Sequence, residues 1–221
     1  MREEILSPEQ QFETKQRLIE AAGEIFAETG FHKATVRKIC ARARTNGAAV
    51  NYHFGGKESL YTAVLEYAYQ CSHQKFPHDI GLEGDATPAQ RLRAFVRSYL
   101  LRIFDEGRPA WHSKLLASEM SQPTAALDDL IAKFVRPRTA KLLELVGEIL
   151  GEPANSEQVR LSARSIIGQC LFYYNCRPII SRLFPEQDYS PADIERLADH
   201  ITRFSLGALQ GVGKSCVAAR N

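Results

Sequence analysis

The chain has 221 residues, 44% of them hydrophobic, and a formal charge of +2 at pH 7. That is enough apolar material for a sizeable core, in one large domain or a small one plus a larger one, and the near balance of charge excludes a globally basic nucleic-acid binder. Any such activity has to come from a local patch.

The longest uncharged apolar-rich stretch, residues 165–176, has 12 residues and is too short to cross a bilayer. The opening MREEILSPEQQ is charged and has no apolar core of a secretory signal. Five cysteines, Cys40, Cys71, Cys170, Cys176 and Cys216, form no CxxC pair, as expected of reduced thiols. These features predict a cytoplasmic protein with no membrane partner.

In chain order, Ser7-Pro8-Glu9-Gln10 has the form of a capping box with proline at the first helical position, which predicts a long helix. Leu18, Ala22, Ile25, Phe26 and Thr29 recur at helical spacing, and Gly30 ends the pattern where a left-handed residue is wanted. Glu13, Glu20, Glu24 and Glu28 make this helix acidic. Thr35 can cap a second helix whose Val36, Ile39, Cys40 and Ala43 share one face. A turn at Arg44-Thr45-Asn46 follows. Asn46 is a suitable N-cap for a third helix of about two turns over residues 47–54, and its exposed start suits a phosphate.

On a wheel of roughly 100° per residue Val50 and Phe54 face inward. Ala48, Ala49 and Tyr52 are then directed outward, flanked by Asn51 and His53. Small residues let a backbone approach base edges and thymine methyls, while Asn, Tyr and His supply donors and acceptors. Across residues 32–57 there are six basic residues, Lys33, Arg37, Lys38, Arg42, Arg44 and Lys57, and no acidic one, a field that a phosphate backbone would feel. A helical hairpin that only packs would share the periodicity but not the charge asymmetry.

Gly55-Gly56 closes the third helix, and Lys57-Glu58 opens a fourth to about Cys71, with Tyr61, Val64, Leu65 and Ala68 on one side. Residues 77–88 are rich in Gly, Pro and Asp and mark the expected boundary between a domain at 8–76 and another at 77–221. Beyond it helices are predicted over residues 89–104, 110–121, 124–150 with a break at Pro137, 157–183 disturbed by Pro178, and 191–209. The fold class is all-α.

Within residues 191–211, Ile194, Ile201 and Ala208 are seven apart, as are Leu197, Phe204 and Gly211, an a/d seam that tapers to small residues. The preceding helix, carrying Ile166, is apolar or uncharged nearly all round. Two such helices from each of two chains would make a four-helix bundle, so a homodimer with Ile166, Ile194, Leu197, Ile201, Phe204 and Ala208 at its interface is expected. Burial of both helices inside one chain would leave the same seam.

Other chemistries fit poorly. Residues 208–215 match a relaxed phosphate-loop pattern with Ala in place of the first Gly, but a helix rather than a strand precedes them, so they read as a helix end and tail. Cys71, His73 and His78 fit no common metal-ligand spacing. There is no GxSxG elbow or recognisable nucleophile context. No enzyme activity, metal or cofactor is expected.

The run from Thr35 through AAVNYHFGGKESLY resembles the N-terminal helix-turn-helix of the TetR family of bacterial transcriptional regulators, over residues 10–67. That resemblance implies that Arg37, Ala48, Ala49, Asn51, Tyr52 and His53 face DNA and that Thr35, Tyr52, His53 and Lys57 touch phosphates; Asn46, from its cap position, joins this set. Family members usually carry Gly where this chain has Arg44 and an aliphatic residue where it has Thr45, which predicts a strained turn and some lost burial. The resemblance further implies that the fourth helix connects the reading head to the remainder, its tilt altering the spacing of two heads. The run GQCLFYYNCRPIISRLFP resembles the C-terminal domain of one TetR subgroup.

The expected architecture is therefore an N-terminal three-helix helix-turn-helix domain plus a C-terminal helical ligand-binding and dimerisation domain. The expected partners are double-stranded DNA, a second copy and a small-molecule effector. Phe95, Tyr99, Phe104, Trp111, His112, Met120, Gln169, Phe172 and Tyr173 are candidate effector-lining residues. This predicts a ligand-responsive repressor of a palindromic operator. The competing expectation is an all-α ligand-binding or interaction protein with a vestigial helix-turn-helix.

Overall fold

The computed structural model describes residues 7–105 and 111–218, with side chains to residue 212. Among the described residues the regular structure is helical, with no strand. The described residues form two compact units, one from residues 7–72 with 111–134 and one from residues 73–105 with 135–218. Neither unit is continuous in sequence, because residues 111–134 return to the first. No described helix is long and apolar enough to cross a membrane.

In the first unit, α1 (Pro8–Lys33) begins with a complete capping box, in which Ser7 Oγ accepts from the Gln10 N–H at 3.3 Å and Gln10 Oε1 from the Ser7 N–H at 2.9 Å. Gly30, at φ 76°, interrupts it as expected, and a further turn runs to Lys33. α2 (Val36–Ala43) and α3 (Ala49–Phe54) lie between α1 and α4 (Lys57–Lys75), which is longer than the sequence pattern indicated. Leu18, Phe26, Ile39, Val50, Leu60, Tyr61 and Val64 form one core with Trp111, Leu115, Ala126 and Leu130 of the returning segment. That segment is α6 (His112–Ser121) and α7 (Ala126–Leu130), after α5 (Pro88–Phe104) of the second unit. A methyl at Gly23 on α1 would overlap the Trp111 ring, so glycine is what lets the indole seat there.

This core encloses a carboxylate. Glu119 on α6 is 1% exposed and accepts from the Tyr61 hydroxyl at 2.7 Å, the Thr124 N–H at 3.0 Å and the Thr124 hydroxyl at 3.1 Å. Burial, and then the bond to Glu119, hold the Tyr61 phenol well above its ordinary pKa, so it remains the donor. The ring of Tyr61 meets Phe26 edge-on at 4.7 Å and Phe31 at 4.8 Å.

In the second unit α5 packs with α8 (Arg136–Leu150), α9 (Glu157–Asn175) and α11 (Pro191–Ala218), with α10 (Arg177–Leu183) between the last two. Its start is fixed by a second capping box, Thr87 with Gln90, which the spacing of the loop obscured. A π-helical turn at Ile131–Val135 precedes Pro137, whose ring and missing N–H oppose regular bonding to the previous turn; this is the break expected there. Likewise Pro178 stands in the first turn of α10, after a non-helical Cys176.

The seam on α11 divides. Ile194, Leu197 and Ile201 are 3%, 5% and 1% exposed and pack with Leu92, Val96 and Val159 in the unit's own core, as does Ile166 at 2%. Arg93 and Arg97 of α5 add ion pairs to Glu195 and Asp199, Arg93 Nε reaching Asp199 Oδ1 at 2.6 Å. These four apolar residues are therefore not available to a second chain: the repeat is real, but its partner is intrachain. Phe204, at 62%, and Ala208 remain exposed.

Removing the buried acceptor should be costly. Glu119→Ala is expected to lower unfolding free energy by about 3 kcal/mol, since the Tyr61 and Thr124 donors lose their partner. Glu119→Gln, which keeps an acceptor oxygen, should cost less than half of that. Equal losses in urea denaturation would refute this account.

Candidate nucleic-acid interface

α2 starts as expected, with Thr35 Oγ1 accepting from the Lys38 N–H at 3.3 Å. It ends in a Schellman turn, the Arg44 N–H donating to Ala41 O at 3.3 Å and the Thr45 N–H to Cys40 O at 2.9 Å. Arg44 takes the left-handed position of that turn, φ 53° and ψ 46°, where glycine meets no steric penalty. Thr45 Oγ1 is shielded from solvent and has no hydrogen-bond partner. Both departures from the family pattern thus have a local structural cost.

α3 is shorter than the wheel assumed. The chain enters it through a turn at Gly47 and Ala48, with Asn46 Oδ1 accepting from the Ala48 N–H at 3.1 Å, and regular helix begins at Ala49. The 100° spacing does not extend back through that turn. Ala49, the first residue of that helix, is buried with Val50 in the core rather than presented outward: it stands about 100° from Val50, and the core covers that flank as well. Ala48 and Asn51 are exposed, and Tyr52 is 70% exposed at the tip of the unit. His53 is half-buried and stands edge-on to Tyr52 at 4.9 Å; burial, and then the charge of Lys15, hold its pKa below the ordinary value. Lys15, whose ammonium lies 5.7 Å from the Phe54 ring centre, is a basic neighbour of the reading helix that no spacing in the sequence could reveal, because it comes from α1.

The basic residues are not equivalent. Arg42 is held by Glu24 at 3.2 Å and Glu28 at 3.0 Å on α1, and its hydrogen bond keeps the Glu28 carboxyl below its usual range. The Lys57 ammonium donates to Phe31 O at 3.1 Å and Ala34 O at 3.3 Å and lies 4.4 Å from the Phe31 ring centre. With three N–H groups it retains one donor beyond those bonds. Arg37, Lys38 and Arg44 are exposed around α2 and the turn.

The effector-lining residues expected from the sequence are distributed over both units. Trp111, His112 and Met120 belong to the first, Trp111 against Gly23 and Met120 at the surface. In the second, Phe95 and Tyr99 stack along α5 at 6.3 Å, while Phe104 stacks on Tyr189 at 4.7 Å. Gln169, Phe172 and Tyr173 line an outer groove of about 320 Å³ with Gly168, His200 and Ile201.

No group of three or more metal-ligating side chains occurs among the described residues. His78 instead faces the Lys141 ammonium at 3.1 Å. The backbone of residues 208–215 is helical, continuous with α11, so it does not form a phosphate loop; the side chains of Lys214 and Ser215 lie outside the described residues.

A short, core-supported helix carrying exposed Asn and Tyr, set at a turn beside surface arginines, defines a helix-turn-helix transcriptional regulator. Residues 18–64 match the family model for "Bacterial regulatory proteins, tetR family", and residues 88–209 match that for "HTH-type transcriptional dual regulator CecR, C-terminal domain". The chain belongs to the TetR family. It is 31% identical over 169 residues to the transcriptional dual regulator CecR of Shigella flexneri, covering 73% of this chain and 75% of that one. It is 28% identical over 209 residues to the transcriptional repressor NicS of Pseudomonas putida, covering 90% and 92%. Among solved structures, a putative transcriptional regulator from Pseudomonas aeruginosa PAO1 superposes with a TM-score of 0.64 at 22% identity, covering 96% of each chain. A TetR-like regulator from Rhodococcus sp. RHA1 gives 0.63 at 18%, covering 93% and 99%. At such identities the structural likeness speaks for the fold alone. The family's members are DNA-binding regulators, not enzymes.

The turn offers a direct test. Arg44→Gly is expected to raise unfolding free energy by about 1 kcal/mol, because the left-handed position no longer crowds a Cβ. A lower melting temperature for this variant would refute the assignment of strain.

Proposed function

We propose that the protein is a homodimeric, effector-responsive repressor that binds a palindromic operator and is released from it by a small molecule. The observation that carries the DNA-binding part is the exposure of Tyr52, 70%, on a helix otherwise anchored in the core. A large aromatic held in water at a rigid tip has no packing role there and is suited to contact DNA. Asn51 and Ala48 beside it are suited to base edges, and Arg37 and Thr35 to phosphates. Lys57 can add one phosphate contact without giving up its carbonyl partners.

Dimerisation is supported by an apolar stripe distinct from the buried seam. Leu161, Ser165, Gly168 and Phe172 recur along α9 at helical spacing and are exposed, as are Phe204, Gly207, Ala208 and Gly211 along α11. The two stripes flank the groove at Gly168 and His200, where Gln169 Nε2 donates to Ser205 Oγ at 3.1 Å. Large side chains facing small ones suit a self-complementary two-fold packing. Two heads then lie about 34–36 Å apart on successive major grooves. The repressor role is favoured by the description of NicS, and release by ligand follows the usual logic of differential affinity between two states.

Fluorescence anisotropy against DNA from upstream of the gene and against scrambled DNA, at two salt concentrations, tests the first part. Upstream DNA should bind more tightly, with an affinity that falls steeply with salt. Arg37→Gln should weaken binding to all sequences, whereas Asn51→Ala should change which sequence is preferred, by about 1–3 kcal/mol at the affected base pair. An unchanged preference would remove Asn51 from base reading.

Sedimentation tests the second part. The wild type should be dimeric at micromolar concentration and Phe204→Glu monomeric with its helical content intact. A dimeric Phe204→Glu protein would place the interface elsewhere.

A further inference from the structure

The acidity of α1 is confined to one side of the helix. At roughly 100° per residue Glu9, Glu13, Glu20, Glu24 and Glu28 all lie about 120–180° round from Lys15. Glu24 and Glu28 meet Arg42 on that far side. The residues three and four positions from Lys15, where an intrahelical partner would stand, are Gln11, Phe12, Leu18 and Ile19, and none carries a charge. Lys15 is exposed and forms no ion pair among the described residues.

What Lys15 does face is the end of α3. Its ammonium lies 5.7 Å from the Phe54 ring centre, a weak attraction for an exposed cation that leaves its three N–H groups able to donate elsewhere. Burial, and then the charge of Lys15, favour the neutral ring of the adjacent His53. That ring stands edge-on to the exposed Tyr52 and makes no hydrogen bond among the described residues. An ammonium and an imidazole with uncommitted donors thus lie together at the last turn of α3. Protonation of the ring would set two like charges side by side, an arrangement that an anion between them relieves.

We propose that Lys15 is a DNA-backbone contact contributed by α1, and that it shares one phosphate with His53. Phosphate oxygens accept from an ammonium and an imidazole N–H at once, and Tyr52 beside them is the residue of α3 most exposed to a duplex. Such a contact adds affinity for any sequence and selects none. The inference rests on the DNA-binding reading of α3. Wild-type binding to duplex tests that reading by itself, and differences between variants test Lys15.

Fluorescence anisotropy of the full-length protein with a labelled duplex of scrambled sequence, over a series of salt concentrations, provides the test. Lys15→Gln should weaken binding and reduce the slope of log affinity against log salt by about 0.9, the share of one phosphate on B-DNA, whereas Lys15→Arg should keep the wild-type slope. Arg17→Gln removes the same charge from the opposite, acidic side of α1, about 160° round from Lys15, and should leave the slope unchanged. His53→Ala should weaken binding by a larger factor in the wild type than in the Lys15→Gln background, because the two side chains act on one phosphate. Lys15 is exposed, so its Gln variant should melt with the wild type and the comparison is between folded proteins. An unchanged slope in Lys15→Gln, an equal loss of slope in Arg17→Gln, or additive losses in the double variant would each overturn the assignment.

Discussion

Neither α2, with eight residues, nor α3, with six, is long enough to persist as a helix in water. Their geometry comes from burial. Ile39, Cys40, Ala43, Ala49 and Val50 enter the same core as Phe26, Leu60 and Tyr61, and each side chain of Val to Phe size stabilises by about 1.5–3 kcal/mol when fully covered. The exposed surface of α2 and α3 is thus the outer side of a packing problem solved within the unit. Part of that solution arrives from far along the chain, since Trp111, Leu115 and the Glu119 carboxylate close the core against α1 and α4.

The electrostatics follow from that packing rather than from the count of basic residues. Arg42 meets two acids of α1, and at their exposure such pairs contribute little to stability; their consequence is to cancel one positive charge locally. Lys57 turns toward backbone carbonyls and an aromatic face. Positive charge therefore remains exposed at Arg37, Lys38 and Arg44, on α2 and the turn before α3, where it can act on a phosphate backbone without acidic neighbours in sequence.

Much of this was legible from local rules. Capping residues, helical periodicity and proline position act over three or four residues, so Ser7, Thr35, Gly30, Pro137 and Pro178 announced their elements correctly. What depends on long-range contact was not legible. The seam on α11 specified a partner helix but not which one, and α5 with its Arg93 and Arg97 supplied it from the same chain. Ala49 is buried because the core reaches over the flank beside Val50, a width that the wheel by itself does not give. Trp111 read equally as a pocket residue until its contact with Gly23, 88 positions away in sequence, was known. A hydrophobic pattern fixes how a helix is buried; the identity of the surface that covers it lies elsewhere in the chain.

Among the described residues, Arg44 and Tyr189 are left-handed without being glycine, and they stand in different settings. At Arg44 the left-handed residue ends α2, the turn's Arg44 and Thr45 N–H groups are hydrogen-bonded, and an exposed positive charge stands in the turn between α2 and α3. A glycine there would relieve the backbone and lose that charge, so stability and electrostatic reach are opposed at one position. At Tyr189 no charge is gained at the surface; the strained residue is buried and its polar atom faces no partner. Local preference and global fold disagree at both sites, and such disagreements persist where something other than folding depends on them. For Arg44 that dependence is the field around the reading helix.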